Sequence, residues 1–204
     1  EVSIRGIGIG GANPPRLMGV LNISPESFFS DSFTPLDQVT TRVEEMIRAG
    51  ADIIDIGARS TALTAPPISV AEEKERVIRT LRNLDDSGAV FSLDTMYPEV
   101  LEAALRYDIS AVNDIGGLAN EQYAKIAADS GLPVIAMAAH KIPGDPTDIS
   151  STHEALKKII LRAENYGIDQ LILDPGVGKW VTERSSEADW ELCRRFSELK
   201  TYGF

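Results

Sequence analysis

A chain of 204 residues with 43% hydrophobic content is long enough to bury a core of its own, so residues 1–204 are expected to form one domain. Its 31 acidic against 20 basic residues leave a net charge of -11, which excludes nucleic acid and anionic membranes as partners but leaves room for a small anion in a locally positive pocket. Cys193 is the single cysteine, which excludes an internal disulfide and a cysteine-based metal cluster; with no apolar run near the ~20 residues of a membrane span and no leader-like start, a soluble, cytoplasmic protein is expected.

In chain order, Val2, Ile4, Ile7 and Ile9 alternate among glycines and predict a short hairpin closing one end. Their Gly pattern is not a dinucleotide fingerprint, because Pro14-Pro15 follows where a helix would have to start. Leu17–Leu21 is the first core strand, ending at Asn22, and a polar loop follows to about Pro35. Leu36–Ala49 is a helix with Val39, Val43, Met46 and Ile47 on one face and Gly50 as its stop. The second strand is Asp52–Ile56; Ser69-Val70-Ala71-Glu72 has capping-box spacing and opens a helix to about Asp86. The third strand, Ala89–Leu93, ends in Asp94-Thr95, and Pro98 opens a helix reaching Tyr107. Ala111–Asp114, Leu132–Met137 and Gln170–Leu173 are the remaining strands. The helices between and after them are Glu121–Asp129, one capped at Ser151-Thr152-His153-Glu154 and running to Tyr166, and a last one over Ser186–Thr201.

Three strands end alike, at Asp55-Ile56-Gly57, Asp94-Thr95 and Asp174-Pro175-Gly176. Short, continuously apolar runs are strands buried on both faces, which belong to parallel sheets covered by helices, and ligands bind at the carboxyl rim of such sheets. Six strand–helix units predict either a β/α barrel or a doubly wound sheet. A closed barrel has eight units and ~250 residues, so composition and pattern leave both open.

Five segments, in order, decide between them. Met18-Gly19-Val20-Leu21-Asn22-Ile23-Ser24-Pro25-Glu26-Ser27-Phe28 resembles the first signature of dihydropteroate synthases, M-G-(I/V)-L-N-V-T-P-D-S-F-S-D. Ala51–Thr61 is similar to the second, A-(D/T)-I-I-D-(V/I)-G-(G/A)-E-S-T-R. Ser92–Thr95 with Pro98-Glu99-Val100, Asn113-Asp114-Ile115 with Gly117-Leu118, and Leu173-Asp174-Pro175-Gly176 with Gly178 resemble three more. The resemblance implies a TIM-type (β/α)8 barrel of the pterin-binding kind, with about six units in these 204 residues.

The resemblance also implies a reaction: 6-hydroxymethyl-7,8-dihydropterin diphosphate condenses with an aryl amine, usually p-aminobenzoate, and pyrophosphate leaves. A pterin offers a ring N–H beside an exocyclic amino group, a two-donor edge suited to a carboxylate and an amide. By resemblance Asp94, Asn113 and Asp174 read that edge, Ile115 and Met137 pack on the ring, Ser60, Thr61 and Lys179 contact substrate, and Asn22 helps place Mg2+ and the diphosphate. Asp31 corresponds to a loop aspartate covering the cation formed at the pterin methylene, although Phe28-Phe29 shifts the register by one. The partners implied are these small molecules, with no nucleic acid and no membrane; a homodimer is compatible with them.

The departures point to a modified site. Arg59-Ser60-Thr61-Ala62 stands where the family has Glu-Ser-Thr-Arg, which leaves Arg59 as the candidate replacement for the missing arginine. Gly176-Val177-Gly178-Lys179 is shorter than the family's loop and lacks P-loop spacing, and Trp180 beside it reads as a lid or packing residue. The family's Ser-Arg-Lys and Arg-x-His segments do not occur in the 204 residues, so activity of this chain alone is not assumed. His140 reads as a solvated loop residue and Cys193 as a small core residue. Two alternatives stand beside the synthase: a pterin-dependent methyltransferase domain serving a corrinoid protein, for which the Asn-Ile-Ser-Pro-Glu-Ser-Phe loop has no reason, and a non-catalytic pterin-binding relative.

Overall fold

A computed structural model describes residues 1–26, 33–61 and 65–203. Val2–Ile4 (β1) and Ile7–Ile9 (β2) form the antiparallel hairpin expected from their alternation, with Ile4 opposite Ile7 across an Arg5-Gly6 turn in which both residues have positive φ. Six parallel strands follow: Met18–Asn22 (β3), Ile53–Gly57 (β4), Phe91–Asp94 (β5), Ala111–Asp114 (β6), Val134–Met137 (β7) and Leu171–Asp174 (β8). They pair strictly in chain order, β3-β4-β5-β6-β7-β8. A doubly wound sheet reverses its strand order at a switch point, whereas sequential order throughout is that of barrel strands. Among the described residues β3 and β8 each pair with a single core strand, so the sheet is an arc of six units.

Helices cover the outer face: Val39–Arg48 (α1), Val70–Leu84 (α2), Pro98–Ala104 (α3), Glu121–Ser130 (α4), Ile149–Tyr166 (α5) and Ser186–Arg194 (α6). α2 shows why they form. Ser69 accepts from the Glu72 N–H at its start, and Val77, Leu81 and Leu84 fall on one buried stripe. Each such side chain contributes roughly 1.5–3 kcal/mol on burial.

Several boundaries differ from the expectations. The first turn of the predicted first helix is a 3-10 turn at Leu36–Gln38, and Ile47 is 45% exposed, while Val39, Val43 and in part Met46 pack on the core. Asp148, not Ser151, caps α5: its carboxylate accepts from the Ser151 N–H at 2.7 Å, which places Ser151 inside the first turn. The predicted third helix stops at Ala104, and the last breaks at Arg195 into a 3-10 turn over Phe196–Tyr202. Cys193 is exposed: Leu192 is the buried residue of α6, and the next position points about 100° away.

The hairpin plugs the amino-terminal end of the arc. Val2 and Ile4 form a small apolar cluster with Ile53 and Ala111, with Val90 and Ile172 packed around it. The main core lies between strands and helices. The opposite end carries polar side chains, and there the strand register sets the site.

Candidate active site

Register places Asn22 opposite Gly57, Gly57 opposite Asp94, and Asp94 opposite Asn113, one row across four strands. Side chains alternate faces along a strand, so the row two residues below, with Asp55 opposite Ser92, faces the same interior. Gly57 suits this crowded row. A Cβ on it would stand 3.3 Å from Asp94 Oδ2, so glycine makes room for the neighbouring carboxylate. On the far strands Met137 lies opposite Asp174.

Asp55 is the residue that sequence reasoning placed in a motif without assigning it a task. It is buried and accepts bonds from Ser92 Oγ and from Asn113 Nδ2, the latter at 2.9 Å. The Asn113 amide is thereby fixed with its nitrogen toward Asp55. Its Oδ1 is left buried, with no partner among the described residues. A buried acceptor left unpaired costs about 1–3 kcal/mol unless something else satisfies it.

The carboxylates crowd one another. Burial raises Asp94 well above the ordinary carboxylate range, and Asp55, Glu73, Asp114 and Asp174 push the same way. Burial likewise raises Asp55 against the opposing bonds from Ser92 and Asn113, and raises Asp174 against the Gly176 N–H and Arg184. Asp114, buried beside the rim, titrates at about 6, since desolvation outweighs its bonds from the Gly116 and Leu118 N–H groups. Asp55 and Asp94, held away from water with no cation among the groups acting on them, are suited to meet hydrogen-bond donors.

Comparison with known proteins decides what kind of site it is. The model of the pterin-binding enzyme family matches residues 18–203. The dihydropteroate synthase of Synechocystis is 34% identical over 203 residues, covering 92% of this chain and 68% of that protein. The chain belongs to the dihydropteroate synthase family. A solved dihydropteroate synthase of Xanthomonas albilineans with 4-aminobenzoic acid superposes with a TM-score of 0.82 at 30% identity, over 99% of this chain and 74% of that one. The probable bifunctional folylpolyglutamate synthase/dihydropteroate synthase of Halobacterium salinarum is 31% identical over 92% of this chain, which spans only 24% of its length. The β/α architecture follows with the family, the family's solved structures being TIM barrels of which this chain shows about six units.

Set against the family's signatures, the loops carry the differences. Arg59 lines both cavities of the site and is held there by its neighbours. Its Nε donates to Glu73 at 2.6 Å, its Nη1 to the Ile68 carbonyl at 2.8 Å, and its guanidinium lies 4.6 Å over the Tyr97 ring. Glu73, on α2 and 1% exposed, also accepts from Thr95 Oγ1 at 2.6 Å and so joins the exits of β4 and β5. No motif signalled Glu73; the apolar stripe of α2 does put it on the buried side. Arg76, on the same helix, holds Glu26 at 2.8 Å and the Ala58 carbonyl at 3.1 Å, anchoring the start of the first signature loop.

His140 is half-buried rather than solvated: its ring bonds Ser151 Oγ at 2.9 Å and Lys158 Nζ at 3.2 Å. Asp145 accepts the N–H groups of His140, Lys141 and Ile142, which hold its carboxyl below the usual range although partial burial works the other way. That loop is pinned from outside by Arg184, bonded to Asp189 and to the Pro146 carbonyl. Trp180 packs on Gly144, where an added Cβ would come 2.1 Å from its Cγ.

Two cavities open at this end. The larger, about 460 Å³, is lined by Asn22, Gly57, Asp94 and Lys179 among others; the smaller, about 220 Å³, by Tyr97, Ile115, Ile142 and Pro143. Arg59, Ser60, Thr61, Asp94 and Trp180 line both. Of the expected site residues, Asn22, Ser60, Thr61, Asp94, Ile115 and Lys179 thus meet at the cavities. Asn113 joins them through Asp55, and Met137 is buried beneath Gly176. Asp31 and Ala62 lie outside the described residues. Among the described residues no group of three or more His, Cys, Asp or Glu could hold a metal, and no helix is long and apolar enough to cross a membrane.

Proposed function

We propose that this chain performs the synthase reaction of its family, joining 6-hydroxymethyl-7,8-dihydropterin diphosphate to an aryl amine, p-aminobenzoate or a relative, with release of pyrophosphate. The observation that carries this reading is the Asn113 amide, oriented by Asp55 so that a buried oxygen awaits a donor. A pterin's amino group is such a donor, and its ring N–H groups suit Asp94 and Asp174. Family membership and the 4-aminobenzoic acid bound by the Xanthomonas albilineans relative support the substrate pair.

The residues then divide the work. Asp94, Asn113 and Asp174 bind and orient the ring, with Ile115 and Met137 as its apolar support. The C–O bond to the diphosphate breaks, the amine nitrogen bonds the methylene carbon, and one proton is lost from the amine. Acidic side chains around the ring favour the cationic carbon of the transition state, and Asp31 would face it from its loop. Lys179, exposed at the larger cavity, and Asn22 face the leaving group. A Mg2+ ion on the diphosphate would neutralise charge as it departs. Asn22 fits as its protein ligand, since Mg2+ is commonly held by few protein atoms with phosphates and water. Its Oδ1 now accepts from Ser24 N at 3.0 Å and Oγ at 2.7 Å, so metal binding would displace the hydroxyl. The whole residue span is proposed to act as one domain, in the cytoplasm.

Calorimetric titration of the pterin diphosphate with Mg2+ into the wild type and Asp94→Asn tests this. The variant should bind about ten- to a hundredfold more weakly, the loss of a charge-assisted acceptor. No binding to the wild type, or equal binding to both, would overturn the reading.

A further inference from the structure

The loops that leave β7 and β8 are joined at three levels. Nearest the sheet, Gly176 lies on Met137, where an added Cβ would come 3.0 Å from Met137 Cγ. Further out, Trp180 packs on Gly144, which has no side chain to stand in its way. Outermost, Arg184 Nη1 donates to the Pro146 carbonyl at 3.0 Å.

The outermost link is the one that stability explains least. The Arg184 side chain is 2% exposed, and a guanidinium taken out of water gains little net stability from a single carboxylate partner. What this arrangement supplies is geometry. Arg184 Nε donates to Asp189 Oδ1 at 2.8 Å, Nη2 stands at the same distance from that oxygen, and the oxygen also accepts the Gly178 N–H at 3.0 Å. One buried cation therefore fixes the residue before Lys179 through Asp189, and the neighbouring loop through Pro146. It reaches the sheet as well: burial raises Asp174, and Arg184 works against that rise. Lysine at this position would keep the charge but lose the planar fork, so it could not hold Asp189 and the Pro146 carbonyl together.

We propose that Arg184 is a positioning residue, clamping the two loops so that Lys179 and Trp180 stand at the wall of the larger cavity, on the leaving-group side of the substrate. The leaving-group side rests on the synthase reading. The clamp itself rests on Arg184, Asp189 and Pro146.

Trp180 reports on the clamp once Trp190, the other of the chain's two tryptophans and 63% exposed, is replaced by phenylalanine. In that background Arg184→Lys should raise acrylamide quenching of Trp180 severalfold. It should also weaken binding of 6-hydroxymethyl-7,8-dihydropterin diphosphate about tenfold, the loss of well-placed contacts to the diphosphate. Affinity for 6-hydroxymethyl-7,8-dihydropterin, which has the ring and no diphosphate, should stay unchanged. Gly144→Ala should give the same pattern from the other loop, because its Cβ displaces Trp180 while Arg184 stays in place. Circular dichroism and the denaturant midpoint establish that each variant is folded. Unchanged quenching in the folded variants, or unchanged affinity for the diphosphate, overturns the proposal. An equal loss for the two pterins overturns it too, since that is the mark of a general structural role. If the wild type binds neither pterin, the synthase reading falls and the quenching of Trp180 decides the clamp by itself.

Discussion

The two ends of the same six strands are built on opposite terms. At the amino-terminal end Val2 and Ile4 meet Ile53 and Ala111, all nearly inaccessible and all apolar. At the carboxyl end Asp55, Asp94, Asp114 and Asp174 are held out of water at raised pKa values, and Asn113 Oδ1 has no partner among the described residues. One end contributes stability; the other holds polar groups at a cost that a ligand can offset. A barrel permits this division because its strand ends face different ways while sharing one core.

Breaking the first end should have the largest effect. Ile4→Ala leaves a hole in the plug and should cost about 2–5 kcal/mol of unfolding free energy, read from the denaturant midpoint, with ligand affinity of the folded protein unchanged. A loss of affinity in proportion would mean that the two ends are not separate. At the other end Asp55→Asn should do the reverse. It removes a buried charge and frees the Asn113 amide to rotate, so the denaturant midpoint should hold or rise while pterin diphosphate affinity falls about tenfold or more. A falling midpoint with intact affinity would make Asp55 a plain structural acid.

The smallest effect concerns pH and sharpens the contrast. Asp114 titrates at about 6 in the folded state, above the ~3.9 of an unfolded aspartate. Between these values the folded form holds the proton more tightly. Its contribution to stability is therefore full below pH ~4 and lost as pH rises through 6. Unfolding free energy should increase by about 1 kcal/mol from pH 7 to 5 on account of this group, and Asp114→Asn should remove that increment. A wild type whose stability declines steadily over the same range would contradict it.

How much could be read beforehand follows the same division. Apolar runs ending in Asp or Asn give strands and their rim, because period and burial act locally; β6 spans the predicted Ala111–Asp114 without change. The strand-end positions of Asp94, Asn113 and Asp174 were legible because their motifs close apolar runs. Asp55 was visible but without a task, since its role is to hold Asn113, 58 positions away. Glu73 and the paired state of Arg59 were hidden for a similar reason: a salt bridge between a strand exit and a helix depends on how the helix docks. His140 and Cys193 were misjudged from residue type, when the surroundings of α5 and α6 decided their exposure.

By itself the sequence determined the alternation of elements, the polar rim and the family, all of which depend on neighbours in the chain. The tertiary structure alone decided which amide oxygen is left unpaired among the described residues, which arginine pairs with Glu73, and which residues line the two cavities. Those depend on groups brought together from distant strands and loops, where a shift of one residue in register turns a side chain to the other face.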